Sequence, residues 1–190
     1  MSRTKDNCSN AYLQSPQIKG DFIYFHTDDD IWSVSRLGGS ARRLTNSHGL
    51  SRNPLISPDG SLVAYLTNDQ GQFDISIIPS TGGIPSRLTY KGVRSLGPWL
   101  DNKTIVFSSC FEAFSQRVTY LYKLNIESRE ISPLNLGQAT TLVQEKGIRI
   151  LGKNLGDPAR WKRYRGGTAG TLWINLKKDA HFKPFLPKLQ

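Results

Sequence analysis

Residues 63–89, with the sequence VAYLTNDQGQFDISIIPSTGGIPSRLT, carry the pattern that decides the fold. An apolar run at Val63-Ala64-Tyr65 is followed by Asp74-Ile75-Ser76-Ile77-Ile78, then by Gly82-Gly83, and then by Arg87-Leu88-Thr89. The runs are short, rich in β-branched and aromatic residues, and bounded by Gly, Asn, Asp or Pro, which is typical of β-strands joined by turns. No segment of the chain sustains the 3.6-residue apolar period of a long helix. The stretch therefore predicts a unit of short β-strands.

The same order of segments recurs along the chain. The first apolar segment of each unit begins at Ile23, Val63, Ile105 and Ile148, so that successive units are 40, 42 and 43 residues apart. Repeats of about 40 residues with four strands each are typical of a β-propeller. A β-sandwich is the alternative all-β fold, but it does not require the same motif order four times. We therefore predict an all-β protein, a β-propeller of about four four-stranded blades.

Residues that favour turns lie between the predicted strands of these units. Ser57-Pro58-Asp59-Gly60 is a turn sequence, because Pro presets the φ angle of its position and Gly accepts the conformation that follows. Gly38-Gly39 and Gly82-Gly83 mark the next connection in two of the units, where a positive φ is expected.

The repeat divides the chain into a short tail and a propeller region. We place a polar N-terminal tail at residues 1–11 and the propeller at residues 12–190, with approximate blades at 12–45, 55–89, 98–136 and 140–186. Propellers usually have four to eight blades. Four units therefore fit either a small closed ring or an open arc of a larger propeller. An open arc would leave blade faces and strand edges bare, and both promote association.

The charge of the chain is concentrated near its C-terminal end. The 190 residues contain 25 Lys and Arg against 15 Asp and Glu, and residues 136–190 hold 11 of the basic and three of the acidic residues. Within this basic part of the chain, a run of basic and aromatic residues is a candidate binding surface: Trp161, Lys162, Arg163, Tyr164 and Arg165. Such a patch can bind nucleic acid, or anionic groups of peptides, or its aromatic rings can pack against a neighbouring blade. No nucleic-acid module is recognisable, so we favour peptides over nucleic acid as partners.

Composition also argues against membrane and secretory classes. No run approaches the roughly 18 apolar residues of a membrane helix, and residues 1–15 lack the apolar segment of a secretory signal. Cys8 and Cys110 cannot form a disulfide framework, and neither lies in a Cys-x-x-Cys motif. We expect a cytoplasmic protein without a membrane partner.

Motifs for catalysis or cofactor binding are not visible. The chain lacks a Gly-x-Ser-x-Gly elbow, and its three histidines have no partner at motif spacing. Asp28-Asp29-Asp30 could ligate Ca²⁺, but the spacing of an EF-hand is missing and Asp is favoured in turns of this kind. We expect no catalytic residue, no metal and no cofactor.

Several stretches resemble the tricorn protease family at matching spacings. Residues 17–25, QIKGDFIYF, resemble the start of the N-terminal propeller of that family. More specific are residues 133–137, PLNLG, residues 152–154, GKN, and residues 161–168, WKRYRGGT. The resemblance extends over residues 12–185. The Ser-Pro-Asp-Gly and Arg-Leu-Thr motifs are less specific, because TolB-like and peptidase propellers share them.

The resemblance implies a role in proteolysis. Tricorn proteases are large cytosolic serine peptidases that degrade peptides, assemble as hexamers, and begin with a six-bladed propeller followed by a seven-bladed propeller, a PDZ domain and catalytic domains. Their catalytic residues lie far downstream of the matched region. The chain would then be an incomplete (open) six-bladed propeller of about four blades that guides peptides, is inactive alone, and has the remainder of the protease or other subunits as partners. The alternative is a stand-alone TolB-like propeller that binds a protein or a peptide.

The resemblance also implies a substrate-binding site. In the family, an arginine pair follows the second blade and helps to hold the peptide C-terminus, and a guanidinium can bind a carboxylate through two hydrogen bonds. The corresponding linker here, residues 90–97, contains Lys91 and Arg94 but no adjacent arginine pair. Arg94 and Lys91 are therefore the candidate substrate-binding residues, and an exposed inter-blade loop without function is the alternative.

Overall fold

The computed structural model describes residues 12–154, 169–176 and 181–185, and these residues form strands and turns. Four antiparallel sheets of four strands each are present, and in every sheet the strands lie in chain order. None of the described segments forms a helix with the length and apolarity needed to cross a membrane.

The four sheets are called blades 1 to 4. Blade 1 contains β1 (Gln14–Lys19), β2 (Phe22–Thr27), β3 (Asp30–Ser35) and β4 (Arg42–Arg43). Blade 2 contains β5 (Ser51–Ile56), β6 (Leu62–Thr67), β7 (Asp74–Pro79) and β8 (Ser86–Arg87). Blade 3 contains β9 (Ser95–Trp99), β10 (Thr104–Ser109), β11 (Tyr120–Asn125) and β12 (Ile131–Gln138). Blade 4 contains β13 (Thr141–Glu145), β14 (Ile148–Lys153), β15 (Thr171–Asn175) and β16 (Lys183–Pro184).

The first strand of each blade contacts the first strand of the next blade. These contacts join β1 to β5, β5 to β9, and β9 to β13. The first strands therefore surround a common axis, and the fourth strand of each blade is the outermost. This arrangement is a β-propeller of four four-stranded blades, which confirms the fold class predicted from the repeat.

The predicted turns are present. Gly60 has a φ of +79°, and its amide donates to the carbonyl of Ser57 at 2.9 Å. Gly82 and Gly83 follow β7 with φ angles of +82° and +146°. These positive φ angles are accessible to Gly because it has no Cβ.

Each pair of successive blades encloses its own apolar layer. Adjacent residues of one strand serve two layers, because side chains alternate between the faces of a sheet. In β6, Tyr65 belongs to the layer between blades 1 and 2, and Leu66 belongs to the layer between blades 2 and 3. In β10, Phe107 and Val106 divide in the same way between the second and the third layer. The propeller is therefore held together by burial between blades.

The far face of blade 4 has no such layer within the described part of the chain. Val143 and Ile148 lie on this face and expose 57% and 43% of their surface, and Leu172 exposes 36%. Leu142 and Leu151, on the opposite face, are buried against blade 3. Among the described residues, no strand of blade 4 packs against blade 1 as blades 1 and 2 pack against each other.

Candidate functional site

A buried aspartate begins the third strand of blade 2 and anchors the outer strand. The Thr89 hydroxyl donates to Oδ1 of Asp74 at 2.7 Å and accepts from the Ile75 amide at 2.9 Å. Nη2 of Arg87 forms an ion pair with Oδ2 of Asp74 at 2.6 Å. Asp74 is fully buried, so these partners offset the cost of removing its charge from water. We call these three residues the blade-2 Asp–Thr–Arg cluster.

Blade 1 contains the same arrangement. The Thr45 hydroxyl donates to Oδ1 of Asp30 at 2.6 Å and accepts from the Ile31 amide at 2.9 Å. Arg43 forms an ion pair with the same carboxylate. The repeated Arg-Leu-Thr motif therefore has a structural explanation, because its first and third residues satisfy a buried carboxylate and its leucine enters the apolar layer.

The blade-2 cluster also fixes the linker to blade 3. Oδ1 of Asp74 accepts hydrogen bonds from the amides of Lys91 at 3.1 Å and Gly92 at 3.2 Å. The Val93 amide donates to the carbonyl of Phe73 at 2.7 Å, and the Ser109 hydroxyl of blade 3 donates to the carbonyl of Gly92. The linker is therefore held by both blades. The sequence analysis did not predict this role of Asp74. An Asp begins the third strand in both blade 1 and blade 2, and this recurrence could have indicated the role.

Lys91 and Arg94, the predicted substrate-binding residues, are both exposed on this linker. Nζ of Lys91 lies 5.3 Å from the centroid of the Phe111 ring. Nη2 of Arg94 donates to the carbonyl of Gln116 at 3.4 Å and lies 3.9 Å from Sγ of Cys110. In the described part of the chain, no carboxylate forms an ion pair with either residue. Both cations therefore remain accessible to an external anion.

A third cation, Arg52, lies at the start of β5. Its guanidinium carbon is 3.7 Å from the centroid of the Phe73 ring, and its Nε is buried without a hydrogen-bond partner. Burial lowers the pKa of Arg52. Nearby, His26 is buried with Nδ1 unpartnered, and its pKa is lowered by burial first and by the charge of Arg52 second. Sequence reasoning missed Arg52, because an isolated Arg at a strand end belongs to no motif.

The remaining site residues considered in the sequence analysis are the basic and aromatic segment and the three consecutive aspartates. The basic and aromatic segment, Trp161 to Arg165, lies outside the described residues. Asp28 and Asp29 form the turn between β2 and β3 with φ angles of +49° and +65°, whereas Asp30 belongs to the blade-1 cluster. Across residues 12–154, 169–176 and 181–185, no group of three His, Cys, Asp or Glu side chains could hold a metal ion.

Comparison with protein families gives a match along nearly the whole chain. The family model described as the tricorn protease N-terminal beta propeller domain matches residues 10–188. The tricorn protease homolog of Saccharolobus solfataricus is 31% identical over 182 residues, which is 93% of this chain and 17% of that protein. The tricorn protease of Thermoplasma acidophilum is 30% identical over 188 residues, which is 93% of this chain and 18% of that protein. The chain thus spans less than a fifth of these curated relatives.

A shorter relative and two solved structures extend the comparison. A protein of Sulfurisphaera tokodaii, named as a tricorn-like protease N-terminal subunit, is 30% identical over 175 residues, or 88% of each chain. The crystal structure of the tricorn protease superposes with a TM-score of 0.74 at 30% identity, covering 92% of this chain and 18% of that one. A structure assigned as TolB from Agrobacterium tumefaciens has a TM-score of 0.67 at 19% identity, covering 86% and 58%, and shares the fold.

Proposed function

Because this chain belongs to the tricorn protease N-terminal β-propeller family, we propose that it is a peptide-guiding and structural part of a cytoplasmic tricorn-like serine peptidase and does not itself catalyse hydrolysis. One observation carries the guiding role. The linker between blades 2 and 3 is fixed by Asp74, and it presents Lys91 and Arg94 without a carboxylate partner in the described structure.

The C-terminal carboxylate of a peptide is the group that suits this linker. A guanidinium offers several N–H donors in one plane, so Arg94 can bind a carboxylate through two parallel bonds. Lys91 adds a second positive charge with freely rotating donors. A linker fixed before binding loses little conformational entropy when the peptide arrives.

The exposed face of blade 4 supports an assembly role. Val143, Ile148 and Leu172 form an apolar surface on the side where a further blade would pack. Exposed apolar surface of this kind marks sites of association. In the proposal, further blades of the six-bladed propeller cover it, supplied by the rest of a tricorn-like protease or by another subunit of a hexameric assembly.

Two measurements test the proposed function. The purified chain is incubated with a fluorogenic peptide, and we expect no turnover. The binding of an N-acetylated tripeptide with a free C-terminal carboxylate is then compared with that of its C-terminal amide by calorimetry. We expect the carboxylate form to bind more tightly, and Arg94→Gln to remove most of the difference, because the amide cannot accept a charge-assisted pair of bonds. Equal binding of both peptides would contradict the guiding role.

A stand-alone TolB-like propeller that binds a protein or peptide is the second candidate. It is favoured by the fold similarity to the TolB structure, of which this chain covers 58%. Size-exclusion chromatography with light scattering separates the two functions. A compact monomer with one cooperative melting transition would favour the stand-alone module, whereas association through the bare blade face would favour the assembly.

A further inference from the structure

We propose that Phe114, in the loop between β10 and β11, is a specificity-determining residue that takes an apolar or aromatic side chain at the C-terminus of the bound peptide. The inference rests on the proposed function, in which Lys91 and Arg94 hold that peptide. It adds a residue of blade 3 to the site and names the class of peptide that the site prefers.

The loop that carries Phe114 lies against both cations of the linker. Nζ of Lys91 is 5.3 Å from the centroid of the Phe111 ring, and Nη2 of Arg94 donates to the carbonyl of Gln116 at 3.4 Å. Phe114 follows the first of these contacts by three residues and precedes the second by two. Because consecutive Cα atoms are about 3.8 Å apart, its Cα lies within roughly 11 Å of the Cα of Phe111 and roughly 8 Å of that of Gln116. The side chain of Phe114 is therefore held beside the linker.

The loop is ordered where Phe114 leaves it. The ring of Phe111 packs on Tyr122 with 4.7 Å between centroids, and Tyr122 is buried in the layer between blades 2 and 3. The amide of Ala113, directly before Phe114, donates to the carbonyl of Cys110 at 3.0 Å and closes a turn. An aromatic side chain presented from a fixed loop loses little conformational entropy when a ligand covers it.

The exposure of Phe114 leaves its ring available to a ligand. It is 83% exposed, more than any other aromatic side chain in the described part of the chain. Single exposed apolar residues are common on protein surfaces. What distinguishes Phe114 is its place between the residues that contact Lys91 and Arg94.

A C-terminal residue with a large apolar side chain matches this arrangement. Its carboxylate and its side chain share one Cα, so they can meet neighbouring cationic and apolar groups at the same time. An aromatic or large aliphatic side chain would bury surface against the Phe114 ring. An alanine offers little surface, and a basic side chain would be repelled by the charges of Lys91 and Arg94. The site should therefore prefer peptides that end in aromatic or large aliphatic residues.

The test uses the full chain and two N-acetylated tripeptides, Ala-Ala-Phe and Ala-Ala-Ala, each as the free carboxylate and as the C-terminal amide. By calorimetry, the carboxylate of Ala-Ala-Phe is expected to bind roughly two- to tenfold more tightly than that of Ala-Ala-Ala, which is the range of an aromatic pair. Phe114→Ser should remove this preference without changing the affinity for Ala-Ala-Ala, and Phe114→Leu should retain part of it. Leu37→Ser is the matched control, because Leu37 is 95% exposed but lies between β3 and β4, at the opposite end of the blades.

The two contrasts separate this inference from the proposed function. If both carboxylates bind more tightly than their amides but equally to each other, or if Phe114→Ser weakens both alike, the specificity role is wrong and the guiding role survives. If Ala-Ala-Phe binds equally as carboxylate and amide, and only when Phe114 is present, the anchoring by Lys91 and Arg94 is wrong. Absence of binding by all four peptides would contradict both. Circular dichroism of each variant establishes that it folds, which the exposure of Phe114 favours.

Discussion

Blades 2 and 3 have the same strand order but hold their outer strands differently. The outer strand of blade 2, β8, has two residues, and the Asp–Thr–Arg cluster anchors it through a buried carboxylate. The outer strand of blade 3, β12, has eight residues, and the position of Asp74 is occupied by Tyr120. A short outer strand offers few backbone hydrogen bonds, so a side-chain cluster takes over the anchoring, whereas a long strand is anchored by its ladder.

The difference in how blades 2 and 3 anchor their outer strands also affects the candidate site. In blade 2, the carboxylate that anchors the outer strand also accepts the amides of Lys91 and Gly92. The same residue therefore couples the folding of the blade to the position of the linker. In blade 3, the chain that leads to blade 4 is held by neutral groups: the Thr119 hydroxyl donates to the carbonyl of Ala139 at 2.8 Å, the Ala139 amide donates to the carbonyl of Thr119 at 3.0 Å, and the Ser95 hydroxyl donates to the carbonyl of Thr140 at 3.0 Å.

The largest effect should come from removing the shared carboxylate. Asp74→Ala is expected to lower the free energy of unfolding by about 3–5 kcal/mol, because Arg87 loses its ion-pair partner and the Thr89 hydroxyl and the amides of Lys91 and Gly92 lose their acceptor. Urea unfolding followed by circular dichroism measures the change. Tyr120→Phe is the matched variant in blade 3 and should change stability by less than about 1 kcal/mol. Similar losses of stability in both variants would contradict the conclusion that blade 2, unlike blade 3, depends on a side-chain cluster to anchor its outer strand.

A smaller effect is expected when only the hydroxyl of the cluster is removed. Thr89→Val keeps the shape of the side chain but leaves the Ile75 amide and one oxygen of Asp74 without this partner. We expect a loss of about 1–3 kcal/mol in the same unfolding experiment. Thr119→Val removes one partly exposed hydrogen bond in blade 3 and should cost less. The reverse order would show that the cluster is not the main anchor of β8.

The interface of blades 1 and 2 should respond to pH through His26. Burial lowers the pKa of His26 below its ordinary value of 6.5, and the charge of Arg52 lowers it further. Between the folded and the unfolded pKa the unfolded chain binds more protons, so stability falls as the pH drops below about 6.5. His26→Gln should weaken this dependence, measured as urea midpoints from pH 7.5 to 5. His48→Gln, at an exposed position, is the control, and an unchanged slope in His26→Gln would contradict the assignment.

The smallest effect is expected for an ion pair in blade 3. Lys103 and Glu127 lie 3.0 Å apart, and both side chains are more than 60% exposed. An exposed pair is screened by water, so Lys103→Ala should change the free energy of unfolding by less than about 1 kcal/mol. A loss as large as that of Asp74→Ala would show that burial does not explain the strength of the blade-2 cluster.

The repeat made the architecture predictable from the sequence. The spacing of the units predicted four-stranded blades, and the Gly-Gly pairs and Ser57–Gly60 predicted turns that the structure contains. These features depend on local chemistry, namely side-chain alternation and the φ angles that Gly accepts. Lys91 and Arg94 followed from the family resemblance, and their role in binding stays a prediction.

The contacts of Arg52 and Asp74 were missed by the sequence analysis, although the recurrence of Asp at the start of the third strand marked Asp74 as a repeated feature. The environment of Arg52 depends on Phe73, a residue 21 positions away, and Asp74 meets Lys91 and Gly92 after the chain has passed through β7 and β8. Such contacts are set by tertiary packing, which periodicity does not encode. The basic segment around Trp161 likewise remains a prediction, and it lies beyond the residues that the structure describes.

The central claim is that the linker after blade 2 receives a peptide C-terminus, and amide chemical shifts test it most directly. The ¹⁵N-labelled full chain is titrated with the tripeptide carboxylate and, separately, with its amide. We expect the carboxylate to shift the amides of Lys91, Gly92 and Arg94 with saturation, and the amide peptide to leave them nearly unchanged. Equal shifts with both peptides, or shifts confined to blade 4, would contradict the claim.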